Sequence, residues 1–392
     1  MNIHSGTIEA KDDPLVLGTD PVPARYYYDP EWYELERRAV FMRSWLNVGH
    51  VCELPENGSF FRREIEFANA SILVIRGKDG AIKAFHNACT HRGTQLVQEA
   101  AGKKTKFSCP YHMWTFGTDG ALLSAPDFER FYIEKEDCAL KQVALGVCGG
   151  LIFVNFDPRQ ALEEYLGPMA ATLESLPVAQ ATTFHEYVYD INANWKLTYD
   201  NFQENYHLRF IHPRTGQLAI GEENPFGYPV EYGFSGPHRS QTLWKNPNPG
   251  PVPPTLGFGY GKAAQLAAGD GTPFAKTDFK LFPALHVVGL PPAQMYTHTH
   301  WPLGYDRTRG IIRMYWTKPA DRASRLFTRE LGAMAIRDVL SEDRHAVESA
   351  QHGLASGAVD RLNMQDHEML LRHLYEEVAA RVASYLADQG ST

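Results

Sequence analysis

The sequence predicts an α+β chain of two domains, and three observations carry that prediction. Between about Trp45 and Phe156, short β-branched and aromatic runs are broken by Gly, Asn and Asp, which is the texture of a compact antiparallel β domain. After Asp157-Pro158 helical and strand signals mix, and two long helical segments close the chain. Its 392 residues, 44% of them hydrophobic, suffice for two cores. The expected division is 1–44 as a helical segment packing on the catalytic part, 45–157 as the first domain and 158–392 as the second.

The elements follow in order. In D-P-E-W-Y-E-L-E-R-R-A-V-F, Asp29 can cap a helix, Pro30 suits its first position, and Trp32, Leu35, Ala39 and Val40 have helical spacing. Strands are expected at S-F-F-R-R-E-I, S-I-L-V-I-R, A-I-K-A-F-H-N, K-T-K-F-S-C and G-L-I-F-V-N-F. Beyond residue 158, a helix at A-L-E-E-Y-L precedes a strand at E-Y-V-Y-D-I-N. The segment N-W-K-L-T-Y-D-N-F-Q-E-N-Y-H-L-R-F-I-H-P then has helical spacing. Residues 245–275 are rich in Pro and Gly and read as a long loop. Strands resume at H-V-V-G-L, M-Y-T-H-T-H-W and G-I-I-R-M-Y-W-T-K, before helices near 325–350 and 367–382.

Composition excludes several functions. Thirty-eight Lys and Arg against 46 Asp and Glu give a net charge of −8, with no basic cluster for nucleic acid. No apolar window is long enough to span a membrane, and the N-terminus has no secretory pattern, so a cytoplasmic location is expected. Five cysteines at 52, 89, 109, 138 and 148 are too sparse for a disulfide framework and favour metal binding. Cys52, Cys138 and Cys148 read as buried small hydrophobes.

C-T-H-R-G supplies Cys89 and His91, and C-P-Y-H-M-W supplies Cys109 and His112. Two thiolates and two imidazoles suit zinc or an iron–sulfur centre by residue type alone. Their distribution favours the second, because in a Rieske cluster each loop gives one Cys to one iron and one His to the other. These loops resemble the Rieske family, including the glycine after C-T-H-R and the aromatic two residues after C-P-Y-H. Such a [2Fe–2S] cluster relays single electrons, so another site must consume them.

His207 and His212 are candidates for that site. Five residues apart, they lie about 140° from each other on a regular helix, so both face one metal only where the helix loosens or ends. Pro213 favours such an end. Two imidazoles and one carboxylate make the face used by non-haem ferrous iron. Glu204, three residues before His207, can orient its imidazole. Asp200 lies two turns from His207 and is badly placed to touch it.

With both sets of motifs, the chain resembles the catalytic α subunit of the Rieske non-haem iron oxygenases from about Asp29 to the late helices. The resemblance implies an N-terminal Rieske domain followed by a helix-grip catalytic domain with an antiparallel sheet flanked by helices. It implies that His207 and His212 bind mononuclear Fe(II), with a third, carboxylate ligand downstream. Asp343 in S-E-D-R-H-A-V-E-S-A-Q-H-G is expected there, with Glu342, Asp338 and Glu348 as rivals. Glu204 holds the position of the family's bridging acid, giving an implied electron path of cluster, His112, Glu204, His207 and iron across a homotrimer. Asn201 is a candidate substrate contact.

The implied activity is that of an oxygenase component fed by a separate reductase or ferredoxin. It would use O2 to hydroxylate a small organic molecule, with an aromatic ring or aromatic carboxylate as the first expectation. The alternative is oxidative demethylation of a quaternary amine, of betaine or carnitine type, or of an aryl ether; a remote one is a non-enzymatic Rieske electron carrier. The glycines at 257, 259 and 261 before Lys262 lack the Ser or Thr of a phosphate loop, and His367, Glu368 and His373 lack zinc-protease spacing. His298 and His300 share a strand face and are expected either to line a substrate pocket or to satisfy neighbouring polar groups.

Overall fold

The computed structural model describes residues 17–213, 215–216, 219–248, 274–290 and 294–390. They fall into two compact units, one formed by 41–166 with 173–175, the other by the remaining described residues.

The smaller unit is built on antiparallel strands β1 (Leu46–His50), β2 (Ser59–Ile65), β3 (Ala70–Arg76), β4 (Ile82–His86), β5 (Ala101–Lys103), β6 (Lys106–Ser108), β7 (Thr115–Gly117), β8 (Leu122–Ser124), β9 (Gln142–Cys148) and β10 (Leu151–Asn155). Seven of them form one sheet in the order β1-β10-β9-β4-β3-β2-β5, and β6-β7-β8 form a second. Alternate residues of these strands meet in a core that includes Phe60, Leu73, Phe85, Phe107 and Phe116. Cys89, Cys109 and Trp114 belong to the same core, so both ligand loops are anchored by their cysteines in the hydrophobic interior.

The larger unit begins with α1 (Pro30–Ala39), where the Asp29 carboxylate accepts from the Glu31 N–H at 2.9 Å and caps the helix as expected. Its sheet comprises β11 (Thr183–Ile191), β12 (Glu231–Ser235), β13 (His238–Trp244), β14 (Phe274–Leu281), β15 (Leu285–Leu290), β16 (Gln294–Gly304) and β17 (Arg307–Trp316). The strands are antiparallel in the order β11-β17-β16-β15-β14-β13-β12. Against it lie α2 (Trp195–Asp200), α3 (Leu208–Ile211), α4 (Ala323–Ala355) and α5 (Met369–Gly390). Most of the expected 245–275 loop, with Gly257, Gly259, Gly261 and Lys262, lies outside the described residues.

Buried polar links fix α2 in place. Glu36 of α1, fully buried, accepts from the Trp32 indole at 2.7 Å and the Trp195 indole at 2.8 Å, and pairs with the buried Lys196 ammonium at 2.7 Å. Such a pair is strongly destabilising to break, because either partner alone is an uncompensated charge. Asn194 caps α2 by accepting from the Lys196 N–H, while its own N–H donates to Gln351 of α4 at 2.8 Å. The turn that starts the segment carrying His207 and His212 is thereby bonded to the helix that carries Asp343.

Candidate metal centres and cavity

The segment from Asn194 to Pro213 is not one helix. α2 ends at Asp200, whose buried carboxylate accepts from the Tyr27 and Tyr375 hydroxyls at 2.7 and 2.9 Å. Burial raises its pKa, and the Lys196 and Arg239 cations oppose the rise. Residues 201–206 form turns, and the chain re-enters a helix only for the four residues of α3. His207 is the N-cap of α3 and His212 its C-cap, the latter at φ −110° and ψ 57°, outside the α region as a residue before proline should be. The helix thus breaks before His207 and again at His212, where an end at Pro213 or a π-turn between the histidines was expected.

This path brings the two imidazoles together, with ring centroids 5.2 Å apart. Asp343, buried on α4, joins them: its Oδ1 lies 2.9 Å from His212 Nε2 and 3.6 Å from His207 Nε2. One ligand atom from each of the three falls within 4.8 Å of the others. Atoms about 2.1 Å from a common ion and at right angles to each other stand about 3 Å apart, which the two distances from Asp343 Oδ1 approach. Both Asp343 oxygens are buried and accept no aligned hydrogen bond, although the His212 nitrogen is close. A buried, unsatisfied carboxylate beside two imidazoles is chemically complete only with a cation.

A carboxylate stands behind each histidine. Glu204 bonds the Nδ1 of His207 and accepts from the His207 N–H at 3.2 Å, across a turn and not along a helix face. Glu342 lies 2.8 Å from His212 Nδ1 and also accepts from the Thr215 hydroxyl at 2.6 Å. With Nδ1–H donated to an acid, each Nε2 keeps its lone pair for a metal. Sequence reasoning listed Glu342 only as a rival ligand and missed this role. Adjacent acids on a helix point about 100° apart, so Asp343 meets the Nε2 side of His212 and Glu342 its Nδ1 side. Glu348 instead bonds the Asn192 N–H and side chain.

In the smaller unit, Cys89 and His91 lie in the loop between β4 and β5, and Cys109 and His112 in the β6–β7 hairpin. The two loops share one backbone design. Cys89 N–H donates to Thr94 and Gly93 N–H donates back to Cys89, both at 2.8 Å; Cys109 N–H donates to Trp114 at 2.8 Å and Met113 N–H to Cys109 at 3.0 Å. The fifth residue of each is left-handed, Gly93 at φ 77° and Met113 at φ 59°. His91 and His112 rings stand 4.6 Å apart, and His91 stacks on Trp114 at 5.0 Å. The buried Nδ1 of His91 has no hydrogen-bond partner. Burial pushes the Cys89 thiol up, the His91 N–H aimed at it pulls it down, and neighbouring Cys109 pushes it up again. Two crowded sulfurs and an orphaned imidazole nitrogen fit a group that takes thiolates and imidazoles together. Cys138 and Cys148 are buried as expected, while Cys52 is only half-buried.

A cavity opens beside Asp343, walled by Tyr187, Tyr189, Asn201, Phe202, Leu340 and Val347 among others. The Asn201 side-chain nitrogen is buried without a partner, consistent with a group facing a ligand. His298 and His300 stand behind this wall: His298 meets the Tyr189 hydroxyl at 2.7 Å, and His300 the Thr198 hydroxyl at 3.3 Å. His367 stacks on Tyr228 at 3.9 Å, a packing role.

The ring hydroxylating alpha subunit (catalytic domain) family matches residues 178–384, and the Rieske [2Fe-2S] domain family matches 44–143. The chain belongs to the Rieske ring-hydroxylating oxygenase α subunits, whose cofactors are a [2Fe–2S] cluster and a mononuclear iron. The carnitine monooxygenase oxygenase subunit of Escherichia coli (strain K12) is 31% identical over 345 residues, 86% of this chain and 84% of that protein. The glycine betaine monooxygenase oxygenase subunit of Chromohalobacter salexigens is 35% identical over 225 residues, 52% of this chain and 48% of that protein. The chain spans about half the length of such glycine betaine relatives.

Solved structures agree on the fold. The quaternary ammonium Rieske monooxygenase CntA with γ-butyrobetaine superposes with TM-score 0.73 at 23% identity, over 95% of this chain and 99% of that one. Naphthalene 1,2-dioxygenase from Rhodococcus sp. does so with TM-score 0.73 at 23% identity, over 93% and 94%. No helix among the described residues is long and apolar enough to cross a membrane.

Proposed function

We propose that the chain is the oxygenase component of a Rieske system that oxidises a quaternary amine, with residues 45–157 as the electron-relay domain and 158–392, joined by 1–44, as the catalytic one. Cys89, His91, Cys109 and His112 hold the [2Fe–2S] cluster, and His207, His212 and Asp343 hold the iron. The iron, when bound, supplies O2 activation at its open positions. The chain's residues do the rest. Glu204 and Glu342 fix the tautomers of the two histidines, and Asp343 provides the charge. Leu340, Val347 and Phe202 supply apolar wall beside the polar Thr198, Ser341 and Arg344, and Asn201 offers a polar contact to the substrate.

Glu204 is also the bridging acid between His207 and the His112 of a neighbouring copy in a homotrimer, with a separate reductase or ferredoxin as donor. Its side chain is 13% exposed, which leaves it within reach of a partner.

The observation that carries the reading is the His207–His212–Asp343 cluster, with its orphaned carboxylate, opening onto an aromatic wall. Tyr187, Tyr189 and Phe202 line the cavity, and aromatic rings attract a quaternary ammonium ion. The similarity to a carnitine monooxygenase subunit over 86% of this chain supports the same class. This reverses the order expected from sequence, where an aromatic ring stood first. Hydroxylation of a carbon attached to nitrogen consumes O2, two electrons and two protons and releases water. The hydroxylated carbon then leaves as an aldehyde and the amine is freed.

The test is O2 uptake with a surrogate reductase on glycine betaine, carnitine, aryl ethers and aromatic acids, reading product mass. Aldehyde formed in step with O2 from a quaternary amine is expected. Coupled ring hydroxylation, with no turnover of any quaternary amine, would refute the substrate class.

A further inference from the structure

Tyr189 on β11 pairs in register with Gly310 on β17, and Gly310 pairs with His300 on β16. The tyrosine ring lies down across that glycine. A Cβ at position 310 would meet Tyr189 Cζ at 2.1 Å and the hydroxyl oxygen at 2.5 Å, so no other residue leaves room for this pose. By crossing β17 in this way the hydroxyl reaches His298 on β16, at 2.7 Å from Nε2. Gly310 therefore sets how the Tyr189 ring, part of the cavity wall, and its hydroxyl lie.

The direction of that bond follows from its partners. His298 is buried, with the His300 ring 3.9 Å away, and burial with the neighbouring histidines holds it neutral. A buried phenol keeps its proton. We assign His298 the Nδ1–H tautomer, in which Nε2 is the bare ring nitrogen and the hydroxyl donates to it. Its proton is then committed away from the cavity. The oxygen keeps free lone pairs, made more negative by the bond it donates, on a residue that lines the cavity together with Asp343.

We propose that Tyr189, placed by Gly310 and polarised by His298, is the residue that selects a cationic substrate head. Its oxygen meets the C–H groups around a quaternary nitrogen, which carry that ion's positive charge. A neutral group of equal shape gains nothing from the same oxygen. The assignment rests on the quaternary-amine reading and names the side chain that enforces it.

The test is equilibrium binding, without reductant, to the full chain carrying iron and cluster. Calorimetry compares glycine betaine and γ-butyrobetaine, each with the carboxylate in which a tert-butyl group replaces trimethylammonium. The wild-type protein should prefer at least one cation over its isostere by tenfold or more. In Tyr189→Phe that preference should fall about fivefold while the isostere binds unchanged, which also shows that the cavity is intact. His298→Phe should reduce the preference in the same direction, and Gly310→Ala should weaken cation and isostere together by displacing the ring. An unchanged preference in Tyr189→Phe, with the wild-type preference present, overturns this assignment and leaves the substrate class standing. A wild-type protein that binds neither cation overturns both.

Discussion

Replacing Glu342 with alanine should weaken iron binding without touching any of the three iron ligands. Its carboxylate lies 2.8 Å from His212 Nδ1, with the side chain 9% exposed and that of His212 3% exposed, so solvent cannot substitute well for the lost bond. The change removes the group that fixes the His212 tautomer and makes Nε2 more basic, and it strips the acceptor from the Thr215 hydroxyl. Loss of such a partner behind a ligand histidine typically costs about 10- to 100-fold in metal affinity, or about 1.4–2.7 kcal/mol. The near-complete burial places the expectation in the upper half of that range. Anaerobic competition against a chelator of known Fe(II) affinity measures it, with the visible spectrum of the cluster reporting an intact Rieske domain. Glu342→Gln keeps an acceptor and should lose much less. Affinity within twofold of wild type for the alanine variant would show that Glu342 is a bystander.

Three further outcomes are expected. Asp343→Ala should lose the mononuclear iron and keep the Rieske EPR signal; full iron occupancy would move the third ligand to another acid. Glu204→Gln retains an acceptor for His207 and should keep both metal centres yet lose turnover, so normal product formation would remove the bridging role. His373 is held down to about 3 by burial, aided by the Arg239 and His238 charges. With a folded pKa below the unfolded value of about 6.5, the unfolded chain takes up its proton first, and stability is lost as pH falls below about 6.5. His373→Gln should flatten the denaturation free energy between pH 6.5 and 5 by up to about 1.4 kcal/mol per pH unit. An unchanged slope would show that His373 does not govern that limb.

Much of the site was legible because ligand chemistry is written in residue type and short spacing. Cys89, His91, Cys109 and His112 are local sets, and each closes its own loop by backbone bonds within five residues. Glu204, His207, His212 and Pro213 are likewise a single stretch of chain. Asp343 was readable only through family resemblance, since nothing in S-E-D-R by itself selects it over Glu342. The buried role of Asp200 was not readable, because its partners are Tyr27 and Tyr375, each more than 170 residues away in sequence.

The sequence by itself determined the α+β class, the candidate ligand types of both centres and the need for the helix to end by His212, because propensity, capping and ligand spacing act over a few residues. Tertiary structure decided which acid meets which face of His212. It also decided that Glu204 reaches His207 across a turn and that Tyr189 lies over Gly310 to find His298. Those choices depend on strand register and on where a 33-residue helix docks, and such contacts between distant segments leave no local trace in the chain.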